Sequence, residues 1–334
     1  IKDTLRCVEH LLASRGAAFR VIVVDDGSDG DDHERLAESL GNDPRVELRR
    51  NEHNLGFARG VNQVLAELLA DETERPEYVA LLNNDAFPEP DWLANLLETA
   101  ARTGAGAVAS CMLRDDDPAL LDNAGHMFLN TGEVLPRGTR QPAAHFNAEA
   151  DVAGACGGAC LLRLEMLADI GKFDEFYTTG YEDAELGLRA MRAGYRQVYQ
   201  PRARVRHRIG ASIDKIRDME FAVVLQLNIN YAYFKLMPWP VILWNLPWIL
   251  VKQLAMLLVP SLTGRWRLLR VQWNALIRAF RIAPRIARAR RQAGPRRLSA
   301  FALARRQSFF LPIYAHYFRR FVIGRQQTIF ERWQ

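Results

Sequence analysis

"ALLNNDAFPEPDWLANLL", residues 80–97, opens as an apolar run, stops at two asparagines and an aspartate, and meets two prolines before an amphipathic stretch begins. A strand covered on both faces reads as a continuous apolar run rather than an alternating one. Proline at the start of "DWLANLL" is a helix-entry signal. The stretch therefore reads as the end of a buried strand, a polar crossing and the start of a helix. The neighbouring sequence repeats this pattern. Ile1, Leu5, Val8 and Leu12 recur at helical spacing, and "FRVIVV" (19–24) is a short β-branched run that ends in the turn cluster "DDGSDGDD". A helix begins near Asp32, "RVELRR" (45–50) is a strand, "FARGVNQVLAELLA" a helix, "YVALL" a strand, "DWLANLLETAA" a helix and "GAVASCML" a strand. Strands alternating with helices imply an α/β protein with a mostly parallel sheet and helices on both faces.

In such a sheet, ligands sit outside the carboxyl ends of the strands. Asp25 and Asp26 end one strand, and Asn83, Asn84 and Asp85 end another, so both polar clusters fall where a ligand would be. Carboxylate and amide oxygens there suit a hard divalent cation and ribose hydroxyls. Turn chemistry accounts for either cluster taken singly. Their occurrence at two strand ends favours a site.

The chain has 334 residues, 49% of them hydrophobic, enough for a large core with an appendage. Cys7, Cys111, Cys156 and Cys160 are too scattered for a disulfide framework and complete no zinc pattern, which fits a reducing compartment. The net charge of +5 conceals an asymmetry. Residues 1–220 carry 25 basic against 38 acidic side chains, and residues 221–334 carry 19 against 1. Two domains with different surroundings follow, 1–220 and 221–334, the second facing something anionic.

The motifs "VIVVDDGSDG", "NEHNLGFARGVN", "LLNNDAFPEPDWL", "GACGGACLLRLEMLADIGKFDEFYTTGYEDAELGLRAMRAGY" and "RVRHRIGAS", in this order, resemble the inverting family 2 glycosyltransferases, particularly the rhamnosyltransferase-like branch. The resemblance covers about residues 1–215. It implies a GT-A fold, which is Rossmann-like. The family opens with a further β-strand that supplies part of the nucleotide pocket, so the resemblance implies a chain lacking that strand.

Residue by residue, the resemblance implies a nucleotide-sugar site. Asp25, with Asp26 beside it, matches the acidic position that holds base and ribose. Asn54, Gly56, Phe57 and Asn62 match the segment bordering the nucleotide, Gly56 allowing close backbone approach. Arg59 either meets a phosphate or is an ordinary surface arginine. Asn83 and Asp85 match the ends of the metal-binding Asp-x-Asp motif, with Asn84 between them; Asn at the first position leaves one full negative charge for Mg²⁺ or Mn²⁺. In "YEDAELGLRAMRAGY" (181–195), Leu186, Ala190 and Ala193 share a helical face and Gly194 is a natural stop. Glu182 and Asp183 lie at the helix start, where the dipole favours ionised carboxylates. By resemblance Asp183 is the general base that deprotonates the acceptor hydroxyl, and Glu182 positions the acceptor; helix capping alone would also place carboxylates there. Gly157 and Gly158 leave room for a sugar or acceptor, or for helix–sheet packing. His207 matches a histidine that contacts the diphosphate or metal, or is structural.

The second part contains "PWPVILWNLPWILVKQLAMLLVPSL" (238–262), long enough to cross a bilayer, although Asn245, Lys252, Gln253 and the prolines argue for a helix or broken hairpin in the interface. Trp239, Trp244 and Trp248 would lie at headgroup depth. Trp266, Leu269, Trp273, Leu276 and Phe280 form an apolar stripe, flanked by Arg267, Arg270, Arg278, Arg281, Arg285 and Arg288. A basic amphipathic helix on an anionic membrane surface has this pattern, and packing of the stripe against protein is the alternative. No nucleic-acid-binding module is recognisable. The expected protein is an inverting hexosyltransferase-type glycosyltransferase. It would move a sugar, rhamnose favoured, from a nucleoside diphosphate donor to a lipid-linked or cell-envelope glycan. It would sit on the cytoplasmic face of the cell membrane, peripherally or in the interface, with a single span left open. The alternatives are a sugar nucleotidyltransferase and a catalytically silent membrane-binding protein.

Overall fold

The computed structural model describes residues 1–41, 43–178, 180–208 and 219–318. The "IGAS" end of the last family motif, residues 209–212, lies outside them, as does Thr179. The chain divides into two compact units. The first comprises residues 1–126, 136–216 and 294–297, and the second residues 127–135, 217–293 and 298–334.

The first unit alternates as α1 (Lys2–Leu12), β1 (Val21–Asp25), α2 (Asp32–Leu40), β2 (Val46–Arg50), α3 (Phe57–Ala70), β3 (Tyr78–Leu82), β4 (Ala86–Pro88), α4 (Trp92–Thr103), β5 (Ala107–Arg114) and β6 (Leu121–Asn123). A hairpin, β7 (His126–Phe128) and β8 (Val134–Pro136), most of which belongs to the second unit, separates these from β9 (Ala150–Asp151), β10 (Ala159–Arg163), α5 (Leu164–Ile170), α6 (Glu182–Ala193) and β11 (Gln197–His207). β1 and β2 pair in parallel, apart from a seven-stranded sheet whose main order is β3-β10-β5-β11-β4. Within that sheet β5 and β11 are parallel, whereas β3/β10, β10/β5, β11/β4, β5/β6 and β9/β11 are antiparallel. The α/β class and the helices on both faces stand, but the sheet is mixed rather than mostly parallel. β10 enters reversed after the long excursion between β5 and β10, and no local pattern in a buried strand states its direction.

Side-chain alternation divides the core into two layers. Ala107 and Ala109 of β5 and Cys160 and Leu162 of β10 face α3, α5 and α6 through Ala58, Leu65, Met166, Leu186 and Ala190. Val108 and Met112 of β5 and Ala159 and Leu161 of β10 turn the other way, onto Trp92, Leu93 and Leu96 of α4. Trp92 is fully buried, and its Nε1 donates to Ser110 Oγ at 2.8 Å, so its one polar atom is satisfied. Gly194 ends α6 in the left-handed region at φ 90°, as its place in the sequence predicts. Residues 294–297 complete this unit: Arg297 Nη1 and Nη2 clasp both oxygens of Asp169 at 2.6 and 2.8 Å, and Arg192 Nη1 donates to Gly294 O at 2.9 Å.

The second unit is helical: α7 (Met219–Leu236), α8 (Trp239–Leu262), α9 (Trp266–Arg291), α10 (Ala300–Arg305) and α11 (Phe310–Phe318). The stretch around residues 238–262 is one helix, with Pro247 and Pro260 inside it, and not a broken hairpin. By length and composition it is long enough and apolar enough to cross a membrane. Its buried face carries Val241, Ile242, Asn245 and Lys252. Asn245 Nδ2 donates to Tyr233 Oη (3.0 Å) and Gln307 Oε1 (2.8 Å), and Lys252 Nζ meets Glu133 Oε1 at 2.6 Å. Asn245 and Lys252 of α8 thus point inward, while Leu243, Trp244, Leu250, Leu254, Leu258 and Leu262 are exposed. α9 packs on α7 through Val271, Ala275, Ala279 and Ile282 against Val223 and Leu227. The aromatic stripe is not that contact: Trp266, Trp273 and Phe280 remain exposed.

Candidate active site

β3 and β4 lie at opposite ends of the strand order yet are three residues apart, so Asn83, Asn84 and Asp85 carry the chain between the two edges of the sheet. Residues making such a passage cannot all join a ladder, which accounts for the polar end of a greasy strand. Asn83 N–H donates to Gly158 O at 2.9 Å, at the start of β10, and Asn84 Nδ2 donates to Thr4 Oγ1 at 3.2 Å. Asp85 Oδ1 stands 3.2 Å from His207 Nε2, at the end of β11, and the other ring nitrogen of His207 lies 2.8 Å from Asp122 Oδ2. Burial pushes the His207 imidazole down, but hydrogen bonds to Asp122 and Asp85 outweigh it and raise the pKa to about 9. Carboxylates on both sides of the ring thus favour positive charge at this point.

The space between Asp85 and His207 also suits a cation. Neighbouring ligands on an octahedral ion with bonds of about 2.0–2.1 Å stand about 3 Å apart. The 3.2 Å separation of Asp85 Oδ1 and His207 Nε2 matches this spacing. A carboxylate and an imidazole are a fitting donor pair for Mn²⁺, or for Mg²⁺ with the remaining positions filled by water and substrate phosphate.

The second cluster forms at the start of α6. The helix begins at Glu182; Tyr181 precedes it at φ 81°, a left-handed conformation uncommon for a residue with a Cβ and one that clusters at functional sites. Asp183 Oδ2 accepts Gly157 N–H at 2.8 Å and its Oδ1 accepts Ala184 N–H at 2.7 Å, so two backbone donors fix the carboxylate. Glu182 is half-buried, and burial together with the Asp183 charge pushes its carboxyl up to about 7. A Cβ at Gly157 would lie 3.1 Å from Phe57 Cζ and 3.4 Å from Asp183 Cβ; one at Gly158 would lie 3.1 Å from Asn83 Nδ2. The adjacent glycines therefore join the two clusters: Gly157 abuts Asp183 and Gly158 abuts Asn83. Phe57 itself rests edge-on against Phe173 at 5.6 Å between ring centres.

The nucleotide-side residues are placed differently from expectation. The Asp25 side chain is wholly buried, with Oδ1 accepting Ser28 N–H at 3.0 Å and Oδ2 2.8 Å from His33 Nδ1. Burial pushes its carboxyl up, but the Ser28 and His33 hydrogen bonds prevail and hold it below the usual value. Asp26 accepts Asn51 Nδ2 (2.9 Å), Leu55 N–H (3.0 Å) and Gly56 N–H (2.8 Å). Asn54 Oδ1 also accepts Gly56 N–H at 3.0 Å, and Gly56 opens α3 at φ 79°. The two aspartates thus build the loop that would border a nucleotide, and Asp25 presents no oxygen to a ligand in this arrangement. Asn62 is likewise internal, bonding Phe173 O at 2.9 Å and Phe173 N–H at 3.0 Å. Arg59 leans on Glu175 at 3.5 Å, although both remain largely exposed.

Three groups at the site carry no sequence motif. Asp122 backs His207. His126, buried, places Nε2 3.9 Å from Asp183 Oδ2, and among the described residues its Nδ1 has no hydrogen-bond partner. Burial holds that imidazole below its ordinary pKa. Cys156 lies with His126 and Asp183 so that the three ligand-type atoms fall within 4.8 Å of one another. Asp122 and His126 both belong to "LDNAGH" (121–126), whose Asn-Ala-Gly turn is the signal that points to them.

A sequence model of the family described as "Glycosyl transferase family 2" matches residues 1–171, half of the chain. The N-acetylglucosaminyl-diphospho-decaprenol L-rhamnosyltransferase of Mycobacterium tuberculosis is 28% identical over 221 residues, covering 60% of this chain and 71% of that protein. The pre-mycofactocin glycosyltransferase of the same organism is 31% identical over 200 residues, 57% of this chain and only 37% of that protein's length. Among solved structures, GalNAc-T7 with UDP, GalNAc and Mn²⁺ is similar at TM-score 0.50 and 15% identity, over 70% of this chain and 48% of that one. The mannosyltransferase PcManGT from Pyrobaculum calidifontis, in complex with GDP-Man and Mn²⁺, is similar at TM-score 0.50 and 17% identity, over 95% of this chain and 76% of that one. At these identities the structures speak for the fold, and they agree with the GT-A expectation.

Proposed function

Because the chain belongs to glycosyl transferase family 2 and is a glycosyltransferase, we propose that it transfers a sugar, with rhamnose the favoured candidate, from a nucleoside diphosphate to a hydroxyl of a lipid-linked or cell-envelope glycan, inverting the anomeric carbon. The observation that carries this reading is the Asp183 carboxylate, held by Gly157 N–H at 2.8 Å beside the glycine that abuts Asn83. The acceptor oxygen attacks the anomeric carbon as the bond from that carbon to the diphosphate oxygen breaks. Asp183 takes the hydroxyl proton, and the nucleoside diphosphate leaves with the bonding pair. A divalent cation at Asp85 and His207 would supply charge stabilisation to the diphosphate. Glu182, beside the base, positions the acceptor. Similarity to the N-acetylglucosaminyl-diphospho-decaprenol L-rhamnosyltransferase supports the choice of donor sugar and acceptor class. Family membership removes the nucleotidyltransferase alternative.

We place the protein at the cytoplasmic face of a membrane. The reading is supported by the apolar outer face of α8 and by the basic second part, whose exposed Trp266, Trp273 and Phe280 suit an interface. The test is a panel of nucleoside diphosphate sugars with acceptor membranes. The expected outcome is release of one nucleoside diphosphate, reduced about 10²- to 10⁴-fold by Asp183→Asn. Equal turnover by Asp183→Asn would remove Asp183 from the base role, and turnover of no donor would overturn the donor class.

A further inference from the structure

We propose that Asp122 is a positioning residue of the cation site, holding His207 so that Asp85 and His207 are already at ligand spacing before the ion arrives. The inference rests on the cation assignment made for Asp85 and His207 and adds to it a residue that no motif supplies. Its first support is contact: Asp122 Oδ2 lies 2.8 Å from His207 Nδ1, while His207 Nε2 faces Asp85 Oδ1 at 3.2 Å. An imidazole whose Nδ1–H is donated to a carboxylate has its tautomer and ring plane fixed, leaving Nε2 as the free lone pair.

The second support is backbone construction. β6 pairs antiparallel with β5, Met112 opposite Asn123 and Leu113 opposite Leu121. Consecutive residues of β5 thus face alternate residues of β6, and Asp122 is the extra one, a β-bulge. Bulges forgo ladder hydrogen bonds and re-aim a side chain, and they gather beside active sites. The surroundings make this bulge a built feature. Leu121 is fully buried, Arg140 N–H donates to Leu121 O at 2.7 Å, Thr139 Oγ1 donates to Asp122 O at 2.9 Å, and the buried Asn123 Oδ1 accepts Gly125 N–H at 2.7 Å. Gly125 sits at φ 86°, and a Cβ there would strike Val152 Cγ1 at 2.7 Å, so the turn following the bulge tolerates no other residue without a shift. Backbone and side chains on both sides of Asp122 are tied down, and the carboxylate they hold is directed at His207.

The probe is Mn²⁺, titrated onto the full chain with nucleoside diphosphate present and read by electron paramagnetic resonance of the free ion. Asp122→Asn keeps the shape and removes the charge. Losing such an outer carboxylate weakens metal binding by about 10- to 100-fold. The expected result is a Kd for Mn²⁺ raised by that factor, with the KM for Mn²⁺ in turnover rising in step and kcat at saturating Mn²⁺ falling far less. Asp122→Glu should recover part of the affinity. Asp116→Asn, at the exposed partner of Arg114, is the control and should leave the Kd unchanged. A Kd within about twofold of wild type in Asp122→Asn, with the Asp85→Ala Kd raised, overturns the role of Asp122 and leaves the cation site standing. A wild-type Kd unaltered by Asp85→Ala overturns the site itself, and the proposal with it.

Discussion

Glu182 and Asp183 are neighbours in sequence with unlike surroundings. Asp183 is tied by two backbone N–H groups, whereas the Glu182 carboxyl is pushed up to about 7 by burial and by the Asp183 charge, against an ordinary 4.5. Between those two values the folded chain keeps a proton that the unfolded chain gives up. Stability is therefore expected to fall as pH rises from 4.5 to 7, since the unfolded state binds fewer protons across that window. Glu182→Gln removes this contribution. Denaturant titrations of the two proteins should diverge through the window, reaching a difference on the order of 1–3 kcal/mol at neutral pH; parallel curves would mean that Glu182 titrates as if exposed. At this scale the motifs pointed to Asp183, Glu182, Asp85 and His207, because each stands where a strand or helix visibly ends. They did not reveal that the polar atoms of Asp25 and Asn62 are engaged within the protein, since a motif does not distinguish a group that touches ligand from one that shapes the loop around it. The turn "LDNAGH" marks the place of Asp122 and His126 but not what they touch, because their partners are 85 and 57 residues away in sequence.

Among the elements, α8 shows how a greasy helix can carry a lysine. Lys252 and Glu133 are both nearly buried and 2.6 Å apart, and Glu133 also accepts from Thr131 Oγ1 (2.6 Å) and Tyr314 Oη (2.8 Å). Removing one member strands the other charge, which costs about 3–5 kcal/mol, whereas replacing both with apolar groups of similar volume is close to neutral. Glu133→Gln is therefore expected to destabilise the second unit by roughly that amount. Lys252→Met with Glu133→Leu should recover most of it, as read by thermal unfolding in detergent. No recovery in the pair would point to lost packing in place of a stranded charge. The existence and type of α1 to α4 and of α6 were readable from periodicity and turn residues, whereas the short α5 was not. The direction of β10 and the three-residue β4 were not, because pairing partners are chosen by tertiary contact and "AFP" offers no period to count.

For the whole molecule, the charge division at residue 220 was plain in composition, while the exchange of short segments between units was not. Residues 127–135 and 294–297 each belong to the unit opposite to the one their neighbours suggest, and nothing in their composition announces it. If the second unit lies on an anionic surface, binding to vesicles rich in acidic lipid should weaken by about 2 kcal/mol for each arginine of α9 reversed to glutamate near the surface, a change of two charges, and should weaken with salt. Sedimentation of Arg270→Glu and Arg281→Glu with such vesicles measures it; undiminished binding would assign attachment to the apolar face of α8 alone. The return of residues 294–297 bears on inheritance. A gene fragment ending at residue 220 would encode a catalytic unit in which Asp169 has lost the guanidinium of Arg297 and Arg192 the carbonyl of Gly294. Recombination at the charge boundary would thus pass on an unfinished unit. A self-contained copy of the first unit would have to extend at least to residue 297.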